Sequence, residues 1–212
     1  MGSNAGAADI TPVPEAFDWT GAYIGLSAGY MWGKIDYREP EFPGFGMNET
    51  DGSFIGGAYL GFNYQMDSIA LGAEVDGNLG GVDIDNDEDA EFNSYSAFDS
   101  DWNAHLRARI GFAADRALFY AAGGLAIADL TVDDTDDGFG KDTNTYFGWT
   151  IGGGVEFAMT DDLQIRAEYL YDDYGSEKYE IEGPDPAADY EARTSLTASI
   201  IRAGIAYKFP VP

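Results

Sequence analysis

Residues Tyr146 to Tyr171 carry the pattern that most narrows what this chain can fold into. Phe147, Trp149, Ile151, Val155, Phe157 and Met159 fall on one parity, and Gly148, Thr150, Gly152, Gly154 and Glu156 on the other. That is a period of two, so the segment is a strand. After Thr160-Asp161-Asp162, a second arm sets Leu163, Ile165, Ala167, Tyr169 and Tyr171 against Gln164, Arg166, Glu168 and Asp172. The two faces persist across the turn and describe a β-hairpin. In a soluble sandwich the polar face would meet water, but here it is built of glycines with one Arg and two Glu, which suits a crowded interior. The pattern therefore reads inverted: apolar side toward lipid, small and ionic side toward the inside of a barrel.

The same alternation recurs along the chain. Ala22, Ile24, Leu26, Ala28, Tyr30 and Trp32 oppose Gly21, Tyr23, Gly25, Ser27, Gly29 and Gly33 in a first strand. A second, from about Ser53 to Met66, turns Phe54, Ala58, Leu60, Phe62 and Tyr64 away from Tyr59, Gly61, Asn63 and Gln65. The third sets Ile69, Leu71, Ala73, Val75 and Leu79 against Glu74, Asp76 and Asn78, and the fourth sets Leu106, Ala108, Ile110 and Phe112 against His105, Arg107, Arg109 and Gly111. A fifth, Ala117 to Val132, is apolar on both parities and its faces stay unassigned. The hairpin supplies strands six and seven. In the eighth, Ile201, Ala203, Ile205, Tyr207 and Phe209 oppose Arg202, Gly204, Ala206 and Lys208.

Connections alternate between short turns at Asp67, Asp115 and Asp161 and long polar loops at Arg38 to Asp51, Asp83 to Asn93, Asp133 to Asp142 and Asp173 to Tyr190. Antiparallel strands crossing a slab produce this rhythm, and an even strand number puts both termini on the short-turn side. Of the eleven Lys and Arg, five (Arg107, Arg109, Arg166, Arg202, Lys208) lie on inner faces with Glu74, Asp76, Glu156 and Glu168. Buried charge is tolerable only when paired and hydrogen-bonded, so these nine residues are expected to form an ionic network in the lumen. A lipocalin-like barrel would carry the opposite arrangement. The fold class is thus all-β: an eight-stranded antiparallel transmembrane β-barrel with short periplasmic turns and long external loops.

Composition sets further bounds. The net charge of −27 makes nucleic acid and an anionic membrane surface poor partners, because both would repel it, whereas divalent cations would not be repelled. With no Cys, disulfides and thiolate metal sites are ruled out. No uncharged stretch, Ala117 to Ala128 near the middle included, reaches the about 20 residues of a spanning helix. Met1-Gly2-Ser3 reads as an appended start and Asn4 to Asp18 as a polar lead without an apolar h-region, so an exported chain is expected here in mature form. The domain reading is a lead over 1–18, a barrel over 19–209 and an extension over 210–212.

Candidate chemistry is sparse. His105, the single histidine, shares its parity with Arg107 and Arg109, which favours a lumen hydrogen bond over catalysis. Asp83-Ile84-Asp85-Asn86-Asp87 resembles the start of a calcium loop, yet Glu88 stands where that loop wants Gly and Ser94 where it wants a bidentate Glu. Asp83, Asp85 and Asp87, with Asp133, Asp134, Asp136 and Asp137, form an acidic rim expected to bind Ca²⁺ or Mg²⁺ weakly, bridging to lipid head groups or neighbouring barrels, without an ordered site and with no other cofactor. Tyr30, Trp32, Trp149, Tyr169, Tyr171 and Tyr207 read as interfacial anchors.

Five segments carry a family resemblance: Trp19-Thr20-Gly21-Ala22-Tyr23-Ile24-Gly25 with Gly29-Tyr30, Arg107-Ala108-Arg109-Ile110-Gly111, Gly148 to Glu156, Ala167-Glu168-Tyr169-Leu170-Tyr171, and Arg202 to Phe209. In this order they resemble the small outer-membrane β-barrel surface proteins of alphaproteobacteria, related to opacity-type and OmpA-type barrels. The resemblance implies location in the outer membrane of a Gram-negative bacterium, contact with lipopolysaccharide, and roles in envelope integrity and surface interaction. A narrow porin-like diffusion channel and an adhesin or lattice-forming surface protein are the alternatives. Two features depart from the pattern: Pro210-Val211-Pro212 follow Phe209 where such barrels typically end on an aromatic residue, and no peptidoglycan-binding domain is expected from these residues.

Overall fold

The computed structural model describes residues 17–38, 46–80, 83–84, 97–99, 101–133, 142–181 and 190–209. Eight long strands form the barrel: β1 (Gly21–Arg38), β2 (Gly46–Met66), β3 (Ile69–Leu79), β6 (Trp102–Ala114), β7 (Ala117–Asp133), β8 (Asp142–Ala158), β9 (Leu163–Ile181) and β10 (Tyr190–Lys208). Two short segments, β4 (Asp83–Ile84) and β5 (Ala97–Asp99), lean on the loop end of β7. Each long strand pairs antiparallel with the next, and β1 pairs with β10 from Tyr23↔Lys208 to Arg38↔Arg193, so the sheet closes. Closure removes the unpaired edges of an open sheet.

Alternation places the side chains as the sequence implies. Leu26, Leu60, Leu106, Ile110, Ile151 and Ile201 are all more than half exposed on the outer wall, while Tyr23, Tyr59, Glu74, Arg107, Glu156 and Arg202 are buried inside. The faces of β7 resolve as well: Leu118, Tyr120, Ala122, Ala126 and Ala128 are buried, and Phe119, Ala121 and Leu125 are exposed. Inside, Leu118 closes a cluster with Phe17, Trp19, Ala70 and Ala158, so an apolar residue there is interior packing at the turn end.

The turns fit their residues. Asp67 and Asp115 adopt φ of 53° and 51°, a left-handed conformation that Asp tolerates through local hydrogen bonding. In the third turn the Thr160 hydroxyl accepts from the N–H groups of Asp162 and Leu163. At the loop end three strands outrun the sequence expectation: β2 starts at Gly46 rather than Ser53, and β9 and β10 extend to Ile181 and from Tyr190. The backbone ladder continues where neither face needs to be apolar, so hydrophobic alternation stops before the pairing does.

Candidate functional site

The ladder itself sets opposite charges side by side. Glu74 lies opposite Arg107, Asp76 opposite His105, Glu156 opposite Arg166 and Glu168 opposite Arg202. Directly opposed residues on one face of an antiparallel pair are near enough to interact. Because these positions face inward, each ion also reaches partners across the lumen.

Glu74 is the hub of the lower half. Arg166 donates to both its oxygens at 2.9 and 2.7 Å, Arg109 to Oε2 at 2.8 Å and Arg107 to Oε1 at 2.5 Å, and the Tyr23 hydroxyl donates at 2.7 Å. Arg109 also donates to the Tyr23 hydroxyl, and Glu156 accepts from Arg109 at 2.7 Å and Arg166 at 2.8 Å. Above it, Glu168 accepts from Arg107 at 2.7 Å, from Arg202 Nε at 2.7 Å and from the Tyr120 hydroxyl at 2.9 Å. Asp76 accepts from Arg202 at 2.7 Å and Arg107 at 3.0 Å. Each of these ionic side chains is almost completely shielded from solvent. Guanidinium groups suit this task, since a planar fork of donors serves several carboxylates at once. Arg166 stacks 3.7 Å from the Tyr59 ring centre and Arg109 4.0 Å from that of Tyr120.

His105 extends the belt. Its Nδ1 lies 2.9 Å from Asp76 and its Nε2 3.1 Å from Asp172. Asn78 and Asn103 bond each other beside it at 2.8 Å. The belt is bounded by apolar packing on both sides: Phe17, Trp19, Ala70, Leu118 and Ala158 at the turn end, and Met31, Ile55, Leu170, Ala198 and Ile200 at the loop end.

Eight of the nine residues proposed from sequence for the lumen meet in this belt: Glu74, Asp76, Arg107, Arg109, Glu156, Arg166, Glu168 and Arg202. Lys208 does not. Its ammonium donates to the Asp18 carbonyl and stands 4.7 Å from the Phe17 ring centre, at the rim beyond the apolar cluster. It has the inward parity of Arg202 but lies six residues nearer the chain end, so the sequence located its face and misjudged its depth. Sequence reasoning left Asp172, Tyr23 and Tyr120 out of the network. Asp172 carried a usable signal, since it shares the parity of Arg166 and Glu168; Tyr23 had only its place on a glycine-rich face, and Tyr120 lies on the strand whose faces the sequence left unassigned.

Of the proposed divalent-ion ligands, Asp85, Asp87, Asp134, Asp136 and Asp137 lie outside the described residues. Asp83 pairs with Asp99 in the β4–β5 ladder, and Asp133 pairs with Ala97.

A closed antiparallel barrel with a hydrocarbon wall, aromatic residues near both rims and a belt of paired ions in the lumen is the architecture of a small transmembrane barrel of the Gram-negative outer membrane. Sequence comparison makes the assignment particular: the chain belongs to the outer membrane protein beta-barrel domain family, whose model matches residues 3–209. It is 32% identical over 203 residues to the 22 kDa outer membrane protein of Rhizobium leguminosarum bv. viciae, covering 95% of this chain and 83% of that one. It is 31% identical over 222 residues to the 31 kDa outer-membrane immunogenic protein of Brucella melitensis, covering 98% and 90%. The crystal structure of the outer membrane protein OprG from Pseudomonas aeruginosa shares the fold, with a TM-score of 0.53 at 13% identity over 92% of this chain and 99% of that one. The protein is therefore an outer-membrane surface barrel, its short turns periplasmic and its long loops external.

Proposed function

We propose that this barrel is a sealed, non-enzymatic structural element of the outer membrane, contributing to envelope integrity and presenting its external loops to lipid, neighbouring outer-membrane proteins or copies of itself. The observation that supports this reading is the belt of four arginines and five carboxylates, counting Asp172, that crosses the lumen with His105 between two of its acids. An eight-stranded barrel is just wide enough for its own side chains, and here apolar clusters close both ends of the belt. Conduction would require water to thread between paired ions. A catalytic role fits poorly, because both nitrogens of His105 face carboxylates and neither is aimed at a nucleophile.

Planar-bilayer recording of the folded protein tests the seal. The expected outcome is no steady conductance; steady openings that vanish on altering Arg166 would favour a narrow diffusion channel instead. Cell-surface binding by the intact protein and by a version with four shortened loops tests the interfacial role, with loss of binding expected only on shortening.

A further inference from the structure

On β10 the outward positions change chemistry at one height. Ile205, Ala203 and Ile201 face lipid, and Ser199, Thr197 and Ser195 follow on the same parity. The change falls where Trp32 of β1 pairs with Ser199 and Lys34 with Thr197, while Lys34 meets Thr50 on its other side. A tilted strand climbs roughly 2.5 Å per residue along the barrel axis, so the ten residues from Ala22 to Trp32 span the ~25 Å apolar band. Lys34 then stands at the head-group level of the outer leaflet.

The wall is dented at this point. A groove of about 430 Å³ is lined by Trp32, Lys34, Thr50, Tyr171, Thr197 and Ser199, within the ~300–1,000 Å³ typical of small-ligand clefts. The β9–β10 register slips between Ser195 and Thr197, and such an irregularity bends a strand locally. Below the groove the Trp32 ring lies 6.4 Å from those of Tyr30 and Tyr169, and the Tyr169 hydroxyl lies 3.1 Å from Ser199 Oγ. The site thus combines an aromatic shelf, a row of hydroxyls and an ammonium.

The distribution of cations marks the same place. Of eleven Lys and Arg in a chain of net charge −27, four are in the lumen belt, and Arg116 and Lys208 are at the periplasmic rim. Of the other five, Lys34, Arg38, Lys178 and Arg193 occur on β1, β9 and β10, with Arg38 opposite Arg193 and Arg193 opposite Lys178 in the ladder. Asp36 lies opposite Ser195 and Asp173 opposite Thr197 in the ladder, and Glu180 pairs with Glu191 nearer the loops. Among residues whose side chains are described, Lys34 is the one cation on the outer wall at this end.

We propose that the groove holds the phosphorylated head group of an anionic glycolipid of the outer leaflet. The phosphate sits against the Lys34 ammonium and the Thr197 and Ser199 hydroxyls, the sugar face lies on Trp32 and Tyr171, and the acyl chains run down the wall past Ile201. The barrel thereby fixes a lipid in its annulus despite its large negative charge.

The test uses the full chain folded into phosphatidylcholine nanodiscs containing lipid A, with bound lipid read by native mass spectrometry and folding verified by heat-modifiable migration. Lys34→Glu should lower lipid A retention at least about fivefold, the effect of one cation near a charged surface, and Lys34→Arg should restore it. Dephosphorylated lipid A should not be retained, and inorganic phosphate should not displace the lipid. Equal retention by Lys34→Glu, or equal retention of the dephosphorylated lipid, overturns the proposal; displacement by inorganic phosphate would mean a free-anion site and overturns the lipid assignment. Should Lys34→Glu fail to fold, the paired Thr197→Val and Ser199→Ala substitutions serve instead, with reduced retention expected and unchanged retention overturning the site.

Discussion

The two halves of the lumen's side-chain lining, interleaved around the barrel, solve the same crowding problem by different means. β3, β6 and β9 turn ions inward, whereas β1, β2 and β7 turn inward mainly glycine, alanine and tyrosine. In the ionic half each side chain is fixed by charge: removing one leaves its partners buried without compensation. In the other half position is fixed by volume. A Cβ built on Gly25 would come 2.3 Å from the Tyr59 ring, and one on Gly61 would come 2.3 Å from the Tyr23 hydroxyl. Those tyrosines occupy the space the glycines leave and present the faces and hydroxyls that receive the arginines. The charged half therefore depends on the steric half, and the comparison shows why glycine belongs on an ion-filled interior.

The largest effect should come from the ionic half. Arg107→Met removes the bridge among Glu74, Asp76 and Glu168 and should cost about 3–5 kcal/mol, measured by denaturant unfolding in detergent or bilayers. A loss under 1 kcal/mol would mean that the carboxylates find other partners and that the halves do not differ. Next comes the wall that both halves share. Ile151→Arg or Ala167→Arg should cost about 2–4 kcal/mol near the bilayer midplane, and the inward Thr150→Ser clearly less; equal sensitivity would erase the distinction between faces. In the steric half, Gly25→Ala should cost about 1–3 kcal/mol through overpacking against Tyr59, and adding Tyr59→Phe should leave most of that cost in place, because the collision is with the ring.

The smallest effect lies at the periplasmic rim, outside both halves. Partial burial raises the Asp18 carboxyl, but hydrogen bonds from the Thr20 N–H and hydroxyl, together with the charge of Lys208, outweigh it and hold the group below its ordinary value of 3.8. A lowered folded-state value contributes stability that is present above the unfolded value and lost as pH falls through the folded one. Amide exchange at Thr20 should therefore accelerate relative to the strands only below about pH 4; acceleration near neutrality would exclude Asp18 as the cause.

The architecture was legible because alternation is local: six residues such as 73–78 in β3 or 104–109 in β6 already reveal two faces. β7 was not legible, because Leu118, Tyr120 and Ala126 pack inside while Phe119 and Leu125 face lipid, so polarity stops reporting direction. The belt was legible as a set of residues and not as a geometry. Parity assigns a side of the wall but no depth, which is how Lys208 was grouped with Arg202. It also gives no diameter, so contacts across the lumen such as Arg107 to Glu168 were out of reach. The loop-end cluster of Met31, Ile55, Leu170 and Ile200 went unnoticed because apolar residues on a small or ionic face look like interruptions of the pattern.

The seam between β1 and β10 sets the order of assembly. It joins Tyr23 to Lys208, nearly the two ends of the chain, so it is the pairing with the greatest loop-closure cost and the slowest to form by diffusion. Glu168 on β9 binds Arg107 on β6, and Glu74 on β3 binds Arg166 on β9; these contacts need the curvature that only a nearly closed sheet provides. Hairpins such as β8–β9 can form early, but the ions they carry find their cross-lumen partners only as the ends meet. Closure and charge compensation thus fall in the same late step, which makes the insertion barrier steep and the finished barrel slow to reopen.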